Sequence, residues 1–344
     1  MVIPYARQSI SKLDLNAVAE VLQSDYLTQG PVVPAFEEAI AHLVAARFAV
    51  AGNSATSMLH IACLALGVTT GDLVWTSPIS FVASANCALY CGAEIDFVDI
   101  DSESFNMSPI ALAAKLELAK KSNRLPKVII PVHMGGQSCD MQAIGSLAQQ
   151  YGIKVIEDAS HAIGGTYNSQ RIGNCAHSDI TIFSFHPVKI ITTGEGGMAV
   201  TQDEGLAHSM RMLRSHGITR DATEFEFGND GPWYYEQQEL GFNYRLTDIA
   251  AALGLSQLQR IDSFIHQRNS IASRYNEAFA STLVVTPHIA SKTISAFHLY
   301  IARCDFENLK VTRVQLFQKM KDMGVLLNLH YIPIYRQPYF AKMG

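Results

Sequence analysis

From Phe36 onward, apolar residues recur by turns at helical spacing and in short continuous runs. Helix-period segments over 36–45, 56–67 and 82–91 alternate with extended runs at 48–51, 72–75 and 94–99. The alternation continues with a helix over 108–121, the run KVIIPVH at 127–133, a helix over 140–151, IKVIED at 153–158, DITIFSF at 179–185 and GMAVT at 197–201. Such strands, apolar almost throughout, suit a sheet covered on both faces, because a strand with one face in water carries a polar residue at every second position. The pattern predicts an α/β fold.

Beyond a helix at 203–214, the stretch from Asp221 to Glu239 is polar and rich in aromatics, with Gly-Pro at 231–232 and no clear period. It reads as a long loop, a feature that is usually functional or mobile. Helical period returns from Leu246 to about Phe279, longer than an ordinary globular helix, which suggests a helix connecting two lobes. The remainder, 290–344, reads as a smaller α+β lobe with a strand at 297–304, a helix at 312–323 and a strand at 325–331. The expected division is a large domain over 1–245 and a connecting helix with small domain over 246–344, residues 1–30 packing with the small lobe. There is no internal repeat and no low-complexity tract.

Composition narrows the function classes. A chain of 344 residues, 48% of them hydrophobic, can bury a large core. Lys and Arg number 26 against 31 Asp and Glu, so no basic excess draws it to nucleic acid or to an anionic membrane. The opening MVIPYARQSISKLD has no basic segment followed by an apolar one, and polar residues interrupt every long apolar stretch, so the protein is expected in the cytoplasm. The six cysteines, at 63, 87, 91, 139, 175 and 304, form no C-x-x-C pair and read as free thiols. Cys87 and Cys91 share a helix face, but two thiols alone do not complete a zinc site, and no metal is expected.

The most informative stretch is SFHPVKIITTGEGG, Ser184 to Gly197, which sets Lys189 in a loop of small residues between two apolar strands. A lysine there suits nucleophilic use, condensing with an aldehyde cofactor once desolvation lowers its pKa; taken alone, a solvated surface lysine is the commoner case. Gly194, Gly196 and Ala199 satisfy G-x-G-x-x-A, but that fingerprint must open a helix, and these residues lead into GMAVT. A dinucleotide site is therefore discarded.

Asp158 ends an apolar run, where open α/β sheets place their ligands, while Glu157 points to the opposite side. Paired with a pyridine nitrogen, the Asp158 carboxylate would keep the ring protonated and make it an electron sink. His161 could bond the ring's phenolic oxygen or be a satisfied structural histidine. In GNSATS, Ser54 and Thr56 precede a helix and are either ordinary caps or caps that also hold a phosphate. Phe81 is placed to stack on a flat ring or to fill core.

Together these elements resemble the DegT/DnrJ/EryC1/StrS family of sugar-nucleotide aminotransferases. The likeness spans nearly the whole chain, on LTQGPVVPAFEEAI at 27–40, GNSATS at 52–57, SPISFVASAN at 77–86, PVHMGGQSCDM at 131–141, IEDASHAIGG at 156–165, SFHPVKIITTGEGG at 184–197, LRSHGI at 213–218 and GFNYRLTDIAAALGLSQL at 241–258. It implies the fold-type-I architecture, a mainly parallel central sheet flanked by helices with a smaller α+β C-terminal lobe, and pyridoxal 5'-phosphate as cofactor. By the same resemblance Lys189 is the Schiff-base nucleophile and proton shuttle, and Asp158 the partner of the pyridinium. His161 meets the ring oxygen, Phe81 stacks on the ring, and Ser54, the Ala55 amide, Thr56 and Ser184 hold the phosphate. Asn243 is implied to reach the phosphate of a neighbouring subunit, which makes the active unit a homodimer; its alternative is a helix-start signal before Leu246.

Relatives with His at the lysine position dehydrate sugars, and Lys189 therefore points to transamination. Within the family the chain resembles the transaminases of pseudaminic acid biosynthesis, a likeness carried by SPISFVASAN, SFHPVKIITTGEGG and HYIPIY at 330–335. That implies transfer of an amino group from glutamate to carbon four of a UDP-linked 4-keto-6-deoxy-N-acetyl sugar, with Tyr5, His330 and Tyr331 on the substrate side. The rivals are a sugar dehydratase and a non-catalytic pyridoxal-phosphate-binding regulator. The family pattern continues beyond HYIPIY, so the small lobe is expected to be incomplete at Gly344.

Overall fold

The computed structural model describes residues 2–343. Its centre is a seven-stranded sheet of β1 (Phe48–Gly52), β2 (Leu73–Thr76), β3 (Glu94–Phe97), β4 (Val128–Ile130), β5 (Lys154–Asp158), β8 (Ile180–Ser184) and β9 (Gly197–Thr201). β6 (Thr166–Tyr167) and β7 (Gln170–Arg171) form a short hairpin beside it. The sheet order is β1-β9-β8-β5-β4-β2-β3; β9 runs antiparallel to both neighbours, and every other pair is parallel. Parallel strands need crossovers: α4 (Ala83–Tyr90) joins β2 to β3, α5 (Pro109–Lys121) leads from β3 to β4 and α6 (Met141–Tyr151) joins β4 to β5, while α2 (Val32–Val44) precedes β1, α3 (Ala55–Ala65) follows it and α7 (Glu204–Arg214) follows β9.

Every position of β8 and β9 is buried, as two covered faces require. Alternate residues serve alternate cores. Phe183 and Met198 join Phe36, Ile40 and Phe185 on one face, whereas Ile182 and Ala199 join Met58, Ile61 and Val74 on the other.

α1 (Lys12–Leu22) packs on α8 (Asp248–Leu258), while Ile3 bridges to Val325 near the far end of the chain. Leu246, Ala251, Leu258, Ile261 and Ile265 are buried in the same core as Phe36. The helical run from Leu246 is two helices, α8 and α9 (Ile261–Phe279), rather than one. The break at Gln259 and Arg260 has a cause in the buried Asp14, which draws in the side chains of Ser256, Gln257 and Arg260 at 2.7, 2.9 and 2.6 Å.

The last third contains α10 (Phe306–Leu309), α11 (Arg313–Asp322) and α12 (Pro338–Ala341). The strand expected at 297–304 is reduced to Arg303–Cys304, paired with Val284–Val285. Phe297 has a φ of 43°, which interrupts the extended run, and the Ala296 and Leu299 amides bond instead to the carbonyls of Gly136 and Gly135. The strand expected at 325–331 makes a single bridge, to Ile3; its Leu326, Leu327 and Leu329 stay 38–39% exposed, so there is little burial to hold a strand.

The start of α2 depends on a distant residue. Pro31 provides no side-chain cap, and the buried Asp248 carboxylate, 216 residues away, accepts from the amides of Gly30 and Val32 at 2.8 Å and of Val33 at 3.2 Å. Asp248→Ala leaves these donors without a partner in a closed interior and is expected to cost about 3 kcal/mol, read as a lower urea midpoint. Asp248→Asn keeps the oxygen that serves Val32 and Val33 and should lose less than half of that; equal losses would contradict the capping account.

Candidate active site

The carboxyl ends of β5 and β8 and the N-terminus of α3 surround a cavity of about 680 Å³. This is where an open α/β sheet offers its ligand site. Asp158 lies at the inner end of β5, Ser184 at the end of β8, and Lys189 in the turn that joins β8 to β9. Ser54, Ala55, Thr56, Phe81, His161, Tyr5, His330 and Tyr331 also line it, so the structure brings together every site residue expected from the sequence except Asn243. Asn243 is exposed and outside the cavity; its carbonyl accepts from Asn53 Nδ2 at 3.5 Å, and it bridges to Ser215.

Burial lowers the Lys189 amine to about 8, with the nearby Asp158 charge opposing the shift. A minority of the lysine, on the order of a tenth, is thus neutral near pH 7, far more than at its ordinary value and of use to a nucleophile. Asp158 is buried and held on both oxygens, Oδ2 accepting from Ser84 Oγ at 2.6 Å and Oδ1 from the Ser160 amide at 3.1 Å. Glu157, next along β5, faces away and bonds His133 Nε2 at 2.7 Å.

α3 begins with Ser54, whose Oγ accepts from the Ser57 amide at 3.1 Å. That leaves the first-turn amides of Ala55 and Thr56, which no intrahelical carbonyl can reach, at the cavity wall. The helix start can sit there because Gly197 lies beneath it. A Cβ on Gly197 would come within 2.5 Å of the Ala55 nitrogen, and one on its cross-strand partner Gly52 would meet Met58 Sδ at 2.2 Å.

Across the cavity, His161 Nδ1 accepts from the Gly135 amide at 3.4 Å, which places the ring proton on Nε2, 3.4 Å from the Tyr331 hydroxyl. Burial and the nearby Lys189 charge hold His161 well below the usual imidazole range, so it is neutral. Burial raises the Tyr331 phenol, with Asp158 adding to the rise, and keeps it protonated. His298 packs against His161 with ring centroids 4.4 Å apart, and its buried Nδ1 has no partner among the described residues. Phe81 is 58% exposed, an apolar ring turned to open space 6.4 Å from the ring of Tyr331.

Sequence reading missed Ser84 and His298. Ser84 lies in SPISFVASAN, where Ser80 and Ser84 four residues apart at a helix start were the available signal. His298 had none, because the expected strand gave it no reason to enter a cavity.

An amine of depressed pKa, a buried carboxylate, a helix start with open amides, a bare aromatic face and an unpartnered imidazole nitrogen fit a flat, phosphorylated aldehyde with a basic ring nitrogen. Among the described residues, no group of three or more His, Cys, Asp or Glu is arranged to hold a metal. No described helix is long and apolar enough to cross a membrane.

Comparison with known proteins agrees with that chemistry. The chain belongs to the DegT/DnrJ/EryC1/StrS aminotransferase family, which it matches over residues 8–344. It is therefore a sugar aminotransferase dependent on pyridoxal phosphate, with a fold-type-I architecture. It is 40% identical over 342 residues to the spore coat polysaccharide biosynthesis protein SpsC of Bacillus subtilis, covering 99% of this chain and 86% of that one. It is 37% identical, with the same coverage, to a UDP-4-amino-4,6-dideoxy-N-acetyl-beta-L-altrosamine transaminase of Campylobacter jejuni. Among solved structures, Helicobacter pylori PseC, an aminotransferase of pseudaminic acid biosynthesis, superposes with a TM-score of 0.90 at 31% identity, covering all of this chain and 88% of PseC.

Proposed function

We propose that this protein transfers the amino group of L-glutamate to carbon four of a UDP-linked 4-keto-6-deoxy-N-acetylhexosamine, giving a UDP-4-amino sugar for pseudaminic acid or a related surface glycan. The observation that carries the reading is the shared cavity of Lys189, lowered to about 8, and the buried Asp158. Pyridoxal phosphate, when bound, supplies an electron sink for the carbanion left when a proton leaves the amino carbon. Lys189 Nζ removes that proton and returns it, and its depressed pKa lets it serve as both base and acid. Asp158 would keep the ring nitrogen protonated, His161 Nε2–H would donate to the phenolic oxygen, and Phe81 would cover one ring face.

The phosphate is held by the Ala55 and Thr56 amides and by the hydroxyls of Ser54, Thr56 and Ser184. Asn243, exposed outside its own cavity, serves that of a second copy, which makes the working unit a homodimer. Tyr5, His330 and Tyr331 form the wall that meets the sugar nucleotide; Tyr5 and His330 lie 5.7 Å apart, ring to ring. On this reading residues 1–245 bind the cofactor, 246–344 complete the substrate side, and the reaction takes place in the cytoplasm.

The test is the visible spectrum of the purified, cofactor-loaded protein with glutamate added. Bleaching of the yellow band, followed by 2-oxoglutarate formation in proportion to aminated sugar when the UDP-4-keto sugar is supplied, is the expected result. A band that glutamate leaves untouched would indicate a non-catalytic binder, and sugar deoxygenation without 2-oxoglutarate a dehydratase.

A further inference from the structure

The carboxylate at the centre of the cavity is held by a residue from another element. Ser84, in the first turn of α4, is fully buried, and its Oγ lies 2.6 Å from Asp158 Oδ2. A carboxylate only accepts, so Ser84 is the donor, and a hydroxyl has one proton to give. Ser80 Oγ, 2.9 Å from Ser84 Oγ, must then donate to it. The chain therefore has one direction, from Ser80 through Ser84 to Asp158. The Ser160 amide fixes the other oxygen at 3.1 Å. Turning the carboxylate plane would break both bonds at once, one of them a short charge-assisted bond in a closed interior.

Ser80 and Phe81 are adjacent and both line the cavity. A single short segment, 80–84, thus carries the aromatic face and, through two hydroxyls, sets the plane of the carboxylate. The spacing between them is built into the start of one helix.

We propose that Ser84, backed by Ser80, is a positioning residue of the cofactor site, which aims the Asp158 carboxylate at the ring nitrogen and fixes how strongly it holds the proton there. This rests on Asp158 as the partner of that nitrogen. Without Ser84 the Oδ2 oxygen keeps its burial and loses its donor, so the carboxylate becomes more mobile and more basic toward the ring. Outer-shell donors that orient a ligating group at metal sites are worth about tenfold or more in affinity, which sets the scale expected here.

The experiment is Ser84→Ala in the full-length, cofactor-loaded protein, with three readouts. These are the release rate of pyridoxal phosphate under a trap, the pH midpoint of the visible absorption band, and the melting temperature of the cofactor-free protein. Release about tenfold faster and a displaced midpoint, both restored by Ser84→Thr, are expected. Release and midpoint as in wild type, with only the melting temperature lowered, would overturn the proposal and make Ser84 a purely structural donor. Should Ser84→Ala not fold, Ser80→Ala decides: it removes only the outer link and should move the midpoint in the same direction by less, and no movement refutes the chain. Failure of the underlying reading is separate, because Asp158→Asn would then also leave the midpoint unmoved.

Discussion

Lys189→Ala is expected to give a folded protein that takes up pyridoxal phosphate without covalent attachment and has lost about three orders of magnitude or more of its transaminase rate. The contacts proposed for the phosphate and the ring do not involve the lysine, so binding should survive. What is lost is the group that moves the proton. Borohydride treatment followed by mass analysis should fix the cofactor on wild type and not on the variant, and normal turnover by the variant would sink the assignment.

The same side chain imposes a pH dependence. Its amine is lowered from 10.5 to about 8, chiefly by burial, so covalent uptake of pyridoxal phosphate by the cofactor-free protein should accelerate with pH about a midpoint near 8. A folded pKa below the unfolded one means that protonation favours the unfolded chain. The cost is full below about pH 8, shrinks as pH rises and is gone above 10.5. Lys189→Met should therefore stabilise the cofactor-free protein at pH 7, by at most about 3 kcal/mol, and by nothing at pH 11.

Asp158→Asn is the second large effect, an expected loss of about two to four orders of magnitude in the rate with glutamate. The amide is nearly isosteric, its oxygen can keep the Ser160 bond, and Ser84 can turn to accept from its nitrogen. The fold and the cavity should persist. On the proposed pairing, however, the ring nitrogen would lose the charge that keeps it protonated, and the amino carbon would hold its proton more tightly. Stopped-flow bleaching of the visible band by glutamate isolates this step, and an unchanged rate would remove Asp158 from the mechanism.

The large sheet was legible because most of its strands are short, largely apolar and bounded by turns; 48–51, 72–75, 153–158 and 197–201 match β1, β2, β5 and β9 to within a residue or two. Asp158 and the start of α3 were legible because each lies where an element ends toward the cavity, whereas Lys189, which taken alone reads as a surface lysine, was singled out by the resemblance that SFHPVKIITTGEGG carries. The break at Arg260 was not, because it depends on Asp14, far away in sequence, and local periodicity carries no trace of that partner. The run SAFHLYIA alternates well enough for a strand, yet the positive φ at Phe297 and the bonds to Gly135 and Gly136 are tertiary facts, and with them His298 went unseen. α1 was missed too: its Ser11 capping box was in the sequence, but Asp14 reads as surface until Ser256 and Arg260 close over it.

The Asp248 cap and the place of β1 at the sheet edge bear on how the chain emerges from the ribosome. β1 pairs only with β9, and α2 gains its N-terminal acceptor only when residue 248 exists. Until then α2 and β1 pack on each other, and β1 on α3, but they lack the strand and cap that complete their surroundings. At about 5–20 residues per second, that leaves Phe36, Ile40 and Val50 only partly sheltered for tens of seconds.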